Sequence, residues 1–190
     1  RSRGLGDVYK RQSSYKTVVL PTVLILSAAD TQRLADFAAA GGRVVVGYAT
    51  GLIDEHFHTW LGGYPGAGDG LLRSMLGVRG EEFNILGSGV EGEPEAIRLG
   101  AGGEVALEDA AALNGATTRL WQNDVTSVAA DTTVLASYAG ESAADWELER
   151  TPAITSRPYG NGTAIYVGCD LNRHAVSYTH LRAHETDQYL

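Results

Sequence analysis

The chain contains little cysteine, little positive charge and no long apolar run. Each of these absences excludes a class of protein. Its 190 residues include a single cysteine, so no internal disulfide can form, and a reducing compartment is weakly favoured. No apolar run approaches the roughly 20 residues of a membrane-spanning helix. Lys and Arg number 15 against 23 Asp and Glu, and no basic stripe is present. We therefore expect neither nucleic acid nor membrane as a partner.

The two ends differ from the rest of the chain and are related to each other through their codons. Val176–Thr186 can be encoded by a sequence whose reverse complement, shifted by one base, translates as Ser2–Arg11. Natural termini have no reason to be inverted complements, whereas a DNA fragment flanked by one ligated or transposed adapter has this property by construction. We therefore predict that residues 1–12 and 176–190 are adapter-derived and contribute nothing to the packed core of the domain.

This interpretation removes one apparent metal site. His180 and His184 lie four residues apart beside Glu185, which on a helix would put both imidazoles on one face. If the end is adapter-encoded, the pair is an accident of adapter DNA. Without the five basic and three acidic residues of the two ends, ten Lys and Arg stand against twenty Asp and Glu. The remaining residues 13–175 are then more acidic than the whole chain, and their length suits one domain.

The first apolar runs of residues 13–175 predict a β-α-β unit. Thr17–Leu20 is typical of a short buried strand. Ser27 and Asp30 have the spacing of a capping box before an apolar helical face, and Gly41-Gly42 can end the helix in the left-handed conformation. Arg43–Tyr48 follows as a second apolar strand. Two such strands joined by a helix pair in parallel through a right-handed crossover.

The later elements are predicted more coarsely. We expect a helix near Leu71–Leu76, a connecting loop over Gly87–Gly103, and a C-terminal hairpin around Pro158–Gly162. The predicted fold class is α/β, with a parallel sheet, flanking helices and that hairpin. The later strands are predicted at Glu82–Leu86, Ala96–Leu99, Thr117–Trp121, Val134–Ala139, Ile154–Arg157 and Thr163–Val167.

The long loop after Tyr48 is where a site is to be sought, because ligands and interfaces collect at the carboxyl ends of parallel strands. A metal site is disfavoured there, since His56 and His58 would point to opposite sides of an extended chain and no third ligand is fixed by spacing. The adjacent carboxylates of Asp54 and Glu55 diverge and cannot bracket a glycosidic bond at roughly 5–9 Å. We predict no catalytic, cofactor-binding or metal-binding residue.

The residues that follow the second strand show whether the chain has the nucleophile of a hydrolase. Gly47–Gly51 has the G-x-x-x-G spacing of a nucleophile elbow, as in hydrolases and amidotransferases. Ala49 occupies the nucleophile position, so the elbow is chemically empty. Cys169 is interpreted as a small buried packing residue. Three tryptophans, which are more typical of core or interface anchors but can also stack on sugars, are Trp60, Trp121 and Trp146.

Four segments together resemble the trimerisation domain of glycoside hydrolase family 42 β-galactosidases. They read YKTVVLPT, AAGGRVVVGYATGLIDEHFHTWLGGYPG, LLRSMLGVRGEEF and PYGNGTAIYVG. The resemblance implies a flavodoxin-like or class I glutamine-amidotransferase-like sheet in a bacterial, cytoplasmic enzyme whose catalytic glutamates lie in a separate (β/α)8 barrel. It also implies that the domain 13–175 is truncated, because adapter residues replace the final helix expected after YVGCDLNRHA.

By this resemblance the chain is a structural domain, silent in catalysis alone, that builds a homotrimer and contacts the barrel of its own parent chain. Its loop Gly51–Gly66 would face both partners, which fits large apolar residues that a small domain cannot cover. Two rival functions remain open: an amidotransferase-like hydrolase, and a sugar-binding module that uses Trp60 or Trp146. The predicted interface residues, with Trp60 and Leu61 as exposed anchors, are Leu52, Ile53, Asp54, Glu55, Phe57, Trp60, Leu61 and Tyr64.

Overall fold

A computed structural model describes residues 15–85, 97–101, 117–118, 121–139 and 151–170. The predicted adapter-derived ends, the histidine pair and Trp146 lie outside the described residues, as does most of the predicted loop Gly87–Gly103. The described elements are β1 (Thr17–Leu20), α1 (Ala28–Ala39), β2 (Arg43–Gly47), α2 (Leu71–Leu76), β3 (Val78–Ile85), β4 (Ile97–Ala101), β5 (Thr117–Thr118), β6 (Trp121–Val128), β7 (Thr133–Ala139), β8 (Pro152–Tyr159) and β9 (Gly162–Val167).

The strands form a mixed sheet of seven and a separate ribbon of two. The large sheet has the order β1-β2-β9-β8-β7-β4-β5, and the ribbon pairs β3 with β6. Among the described strands, β1, β2 and β9 run parallel, whereas the contacts from β9 through β8, β7 and β4 to β5 are antiparallel. The α/β class is confirmed, but the sheet is more antiparallel than we expected, because the hairpin that delivers β9 to β2 extends the sheet on its far side.

The predicted β-α-β unit is confirmed together with its capping residues. The Ser27 Oγ accepts a hydrogen bond from the Asp30 N–H at 3.0 Å and donates to the Asp30 carboxylate at 2.9 Å. The helix buries Leu34, Phe37 and Ala38 against the sheet. Gly47 ends β2 where its missing side chain matters, since a Cβ would lie 1.9 Å from the Pro21 carbonyl oxygen.

A Ser27→Ala substitution is expected to lower the free energy of unfolding by about 1 kcal/mol, because the Asp30 N–H loses its acceptor at the first turn of α1. Urea denaturation followed by circular dichroism would measure the change. Ser27→Thr is the matched control, since threonine keeps the hydroxyl that accepts from the Asp30 N–H and donates to the Asp30 carboxylate. An unchanged midpoint in Ser27→Ala would contradict the assigned cap.

The C-terminal hairpin and α2 are confirmed within a residue or two of their predicted bounds. Tyr159 pairs with Gly162 across a two-residue loop, in which Gly160 has φ 58. A glycine with positive φ at this first loop position is typical of a type II′ turn. The core lies mainly between the helices and the parallel strands, where Val44 and Val46 are buried, while Val45 packs on a second cluster across the sheet.

The ribbon of β3 and β6 is the largest element that the sequence did not predict in full. The expected strand ended at Trp121, whereas β6 begins there and continues to Val128. The sequence does not indicate a buried strand here, because two of its buried residues, Gln122 and Asn123, are polar. The Asn123 side-chain amide donates to the Tyr166 hydroxyl, and the Asn123 backbone N–H donates to the Gly168 carbonyl at 2.8 Å. Buried hydrogen bonds thus hold the ribbon on the sheet.

No helix in the described part of the chain is long and apolar enough to cross a membrane.

A candidate interface at the carboxyl edge of the parallel strands

Beyond β1 and β2 the chain continues as a second pair of extended segments. The Gly51 N–H donates to the Val23 carbonyl at 2.9 Å, and the Leu26 N–H donates to the Ile53 carbonyl at 3.0 Å. Ile25 and Ile53 form an isolated parallel bridge. The predicted loop Gly51–Gly66 is therefore supported along one side by the segment that leads from β1 to α1. This support positions the loop at the carboxyl edge of the parallel strands.

The tip of the loop is organised by the Asp54 carboxylate. Its Oδ1 accepts hydrogen bonds from the backbone N–H groups of His56 and His58, each at 2.8 Å. The bond from the His58 N–H is the main reason that the pKa of Asp54 lies below its usual value. Between these donors, Phe57 adopts φ 66 and leaves 73% of its side chain exposed. The tip therefore holds an aromatic ring outward on a backbone that non-glycine residues rarely adopt.

The tip offers no metal centre. The two imidazole rings of His56 and His58 lie 6.2 Å apart between centroids, and the His58 Nδ1 lies 3.3 Å from an Asp54 oxygen. Within the described ranges, no group of three or more His, Cys, Asp or Glu side chains is placed to hold a metal ion.

A second support comes from α2. The Arg73 guanidinium donates through one nitrogen to the carbonyl oxygens of Gly63, at 2.6 Å, and Leu61, at 3.2 Å. The accepting turn contains Gly62 and Gly63, whose φ angles are 87 and 93. Leu61 precedes these glycines with 83% of its side chain exposed. Arg73 was not predicted from the sequence, because nothing in LLRSML marks one arginine as a partner of a loop ten residues earlier.

Trp60 does not have the exposed position that we expected. Its ring is half-buried and packs against the main core cluster, and its Nε1–H donates to the Leu26 carbonyl at 3.2 Å. The expectation of an exposed Trp60 is therefore wrong. The physical reason is that the indole finds both apolar cover and a hydrogen-bond acceptor inside its own domain.

The other predicted interface residues divide by exposure. Glu55, Phe57 and Leu61 are exposed, whereas Leu52, Ile53, Asp54 and Tyr64 are half-buried. The structure adds two exposed apolar residues that the sequence analysis missed, Leu24 and Ile25, at 46% and 42%. The apolar run VLIL between Pro21 and Ser27 could have indicated them, because it lies outside both the predicted strand and the predicted helix. We call Leu24, Ile25, Phe57 and Leu61 the exposed apolar set.

The elbow after β2 has a strained backbone without a nucleophile. Ala49 adopts φ 55 and is buried, and the following Thr50 hydroxyl accepts a hydrogen bond from the Val23 N–H at 3.1 Å. A left-handed residue after a strand is the shape that presents a nucleophile in hydrolases, yet here the side chain is a methyl group. Cys169 is also buried, and burial raises its pKa to about 12. It remains a protonated thiol at neutral pH, as its predicted packing role requires.

Four aromatic rings contact one another beside this elbow. Trp121 lies 5.6 Å from Tyr48 and stacks on Phe83 at 4.2 Å, and Tyr64 meets Phe83 edge-on at 5.7 Å, all between ring centroids. The Trp121 backbone N–H donates to the Asp170 carboxylate at 2.7 Å. Because Trp121 and Phe83 stack on each other, each ring presents at most one face to a ligand.

Comparison with known proteins identifies the domain. The family model described as the β-galactosidase trimerisation domain matches residues 7–186. The chain is 39% identical over 165 residues to β-galactosidase BbgII of Bifidobacterium bifidum, a match that covers 86% of this chain and 21% of that protein. It is 31% identical over 164 residues to β-galactosidase BgaB of a Geobacillus species, covering 82% and 19%.

Solved structures show the same fold. The β-galactosidase of Rahnella sp. R3 superimposes with a TM-score of 0.70 at 27% identity, covering 90% of this chain and 23% of that chain. The β-galactosidase of Bacillus circulans sp. alkalophilus superimposes with a TM-score of 0.72 at 24% identity, covering 92% and 23%. The chain spans about a fifth of the length of the curated relatives it matches. It belongs to the family of β-galactosidase trimerisation domains.

Proposed function

We propose that this chain is the oligomerisation domain of a β-galactosidase whose catalytic centre lies in other parts of its parent protein. The parent would be a homotrimer that hydrolyses terminal β-galactosides. The observation that carries the proposal is the loop at the carboxyl edge, which supports Phe57 and Leu61 with 73% and 83% of their side chains exposed. Large apolar residues held outward on a braced loop are typical of a contact surface.

The proposed partners are two further copies of the chain and the barrel domain of the same parent. The chain carries a net charge of −8, so copies repel one another at long range, and apolar contact must supply the attraction. The exposed apolar set provides such contact, while exposed Glu55 lies at its rim. Within the predicted interface, we assign direct contact to Phe57, Leu61 and Glu55, and a supporting role to Leu52, Ile53, Asp54, Trp60 and Tyr64.

The two rival functions have less support. An amidotransferase-like hydrolase needs a nucleophile, but Ala49 stands at the elbow and Cys169 is a buried thiol. A sugar-binding module that uses Trp60 needs an exposed face of its indole ring. The Trp60 ring is half-buried in its own domain, and the stacked rings of Trp121 and Phe83 cover each other on one side.

The purified chain is expected to hydrolyse no chromogenic galactoside above a mock preparation and to release no saturable heat on titration with galactose or lactose. The reason is that Ala49 carries no nucleophile and that we assign the catalytic carboxylates to the rest of the parent protein. The full-length parent is the positive control for hydrolysis. Activity in the isolated chain would favour the hydrolase, and saturable sugar binding would favour the module.

We also propose that the parallel part of the sheet has a flavodoxin-like or class I glutamine-amidotransferase-like fold. The support is the order β1-β2-β9 with α1 as the crossover, and the left-handed Ala49 directly beyond β2. A cytoplasmic location is part of the same proposal and fits a chain with one cysteine.

The adapter origin of residues 1–12 and 176–190 likewise remains a proposal, supported by their inverted-complement codons. Sequencing the source DNA across both ends would test it. Genomic reads that continue through both ends without an adapter sequence would contradict it.

A further inference from the structure

The two most exposed apolar side chains of the loop each stand on a dedicated polar support. Phe57 lies between His56 and His58, whose N–H groups donate to the Asp54 carboxylate. The carbonyl oxygens of Leu61 and Gly63 both accept hydrogen bonds from Arg73. We propose that Asp54 and Arg73 are positioning residues that pre-form the surface of Phe57 and Leu61 for contact with a second copy of this chain. This inference rests on the proposed function and assigns the part of that interface that is built before assembly.

Arg73 holds in place a turn that its own glycine residues leave flexible. Gly62 and Gly63 both have positive φ and no side chain that restricts the backbone. A Cβ on Gly62 would lie 3.1 Å from an Arg73 nitrogen, and one on Gly70 would lie 2.5 Å from it. The guanidinium thus lies close to the backbone of two glycines, and it fixes the turn through the two carbonyls. Without it, the Leu61 side chain must be ordered at the moment of binding, which weakens association.

The Asp54 support holds a backbone that would otherwise relax. Phe57 has φ 66, which a non-glycine residue leaves when nothing holds it. The two bonds from His56 and His58 close the turn around it, and the Phe57 N–H donates to the Asp54 carbonyl at 3.1 Å. The unfavourable backbone of Phe57 keeps its ring exposed. A contact between that ring and a second copy of the chain would explain why this conformation is maintained.

The trimer of the family description favours a second copy as the occupant. A closed ring of three uses a heterologous contact, in which the surface meets a different face of the next copy. Charge favours the same geometry, because a two-fold contact centred on this tip would bring exposed Glu55 and its neighbouring Asp54 towards the same carboxylates of the partner. A heterologous contact avoids that repulsion.

The test uses the full-length parent and two pairs of variants. Arg73→Met removes both hydrogen bonds at similar length, whereas Arg73→Lys retains a cation that can reach one carbonyl. Asp54→Ala removes both acceptors, whereas Asp54→Asn retains an oxygen for the two N–H groups. Sedimentation equilibrium gives the trimer dissociation constant, and hydrogen exchange reports the amides of residues 54–64. Thermal denaturation of each variant checks that the fold is retained.

We expect Arg73→Met and Asp54→Ala each to weaken the trimer about tenfold or more and to speed exchange in their own part of the loop. Arg73→Lys and Asp54→Asn should lie closer to the parent. The Leu61→Asp variant tests the interface independently of the two positioning roles. If Leu61→Asp dissociates the trimer while Arg73→Met and Asp54→Ala leave it unchanged, the positioning roles are wrong and the interface stands. If none of the three changes assembly, both are wrong.

Discussion

Trp60→Ala is expected to lower the free energy of unfolding of the purified chain by about 3 kcal/mol. The substitution removes a half-buried ring from the main core cluster and leaves the Leu26 carbonyl without the indole donor that lies 3.2 Å away. Loss of a large aromatic side chain from a packed site typically costs about 3–5 kcal/mol when burial is complete, and the partial burial here places the value at the lower end. Urea denaturation followed by circular dichroism measures it.

Phe57→Ala is the matched control, because it removes an aromatic side chain from the same loop. With 73% of its side chain exposed, Phe57 contributes little to the core, and its loss should change the free energy of unfolding by less than about 0.5 kcal/mol. Equal midpoints for the two variants would mean that Trp60 is not part of the core. A larger loss for Phe57→Ala would reverse the division of the loop into supporting and contacting residues.

The elements that the sequence predicts well are those with local chemical causes. Ser27 and Asp30 meet across the first turn of α1 because their spacing alone brings them together. The hairpin at Tyr159–Gly162 follows from a glycine-rich turn between two apolar runs. The loop Gly51–Gly66 was found because the carboxyl ends of parallel strands define where sites lie. In each case the determining partners are within about ten residues or follow from topology.

The elements that the sequence does not predict depend on partners far along the chain. The antiparallel half of the sheet is determined by which strand lies beside β8, and no residue pattern records that choice. Gln122 and Asn123 make β6 resemble an exposed segment although both are buried, and the Tyr166 hydroxyl that accepts from the Asn123 amide lies 43 residues away. Trp60 could be interpreted as an exposed anchor because its acceptor, the Leu26 carbonyl, lies 34 residues away.

Leu61→Asp in the full-length parent is expected to convert the trimer into monomers at low micromolar concentration. Truncating an anchor near an interface centre commonly costs about 2 kcal/mol or more, and a buried unpaired carboxylate adds a desolvation penalty. A ring of three has three equivalent contacts. The total is therefore about 6 kcal/mol or more, which corresponds to a change of at least about 10⁴ in the trimer dissociation constant.

The same substitution should leave the fold of each subunit intact, because 83% of the Leu61 side chain is exposed and little of it belongs to the core. Sedimentation velocity therefore measures the loss of the trimer, and thermal denaturation checks that the subunit fold is retained. His56→Ala is the control on the same loop, since His56 is exposed, supplies only its backbone N–H to Asp54, and belongs to no metal centre in the described residues. It should remain trimeric. A Leu61→Asp protein that stays fully trimeric on dilution would show that this loop does not carry the contact between subunits, and the exposure of Leu61 would then require another partner.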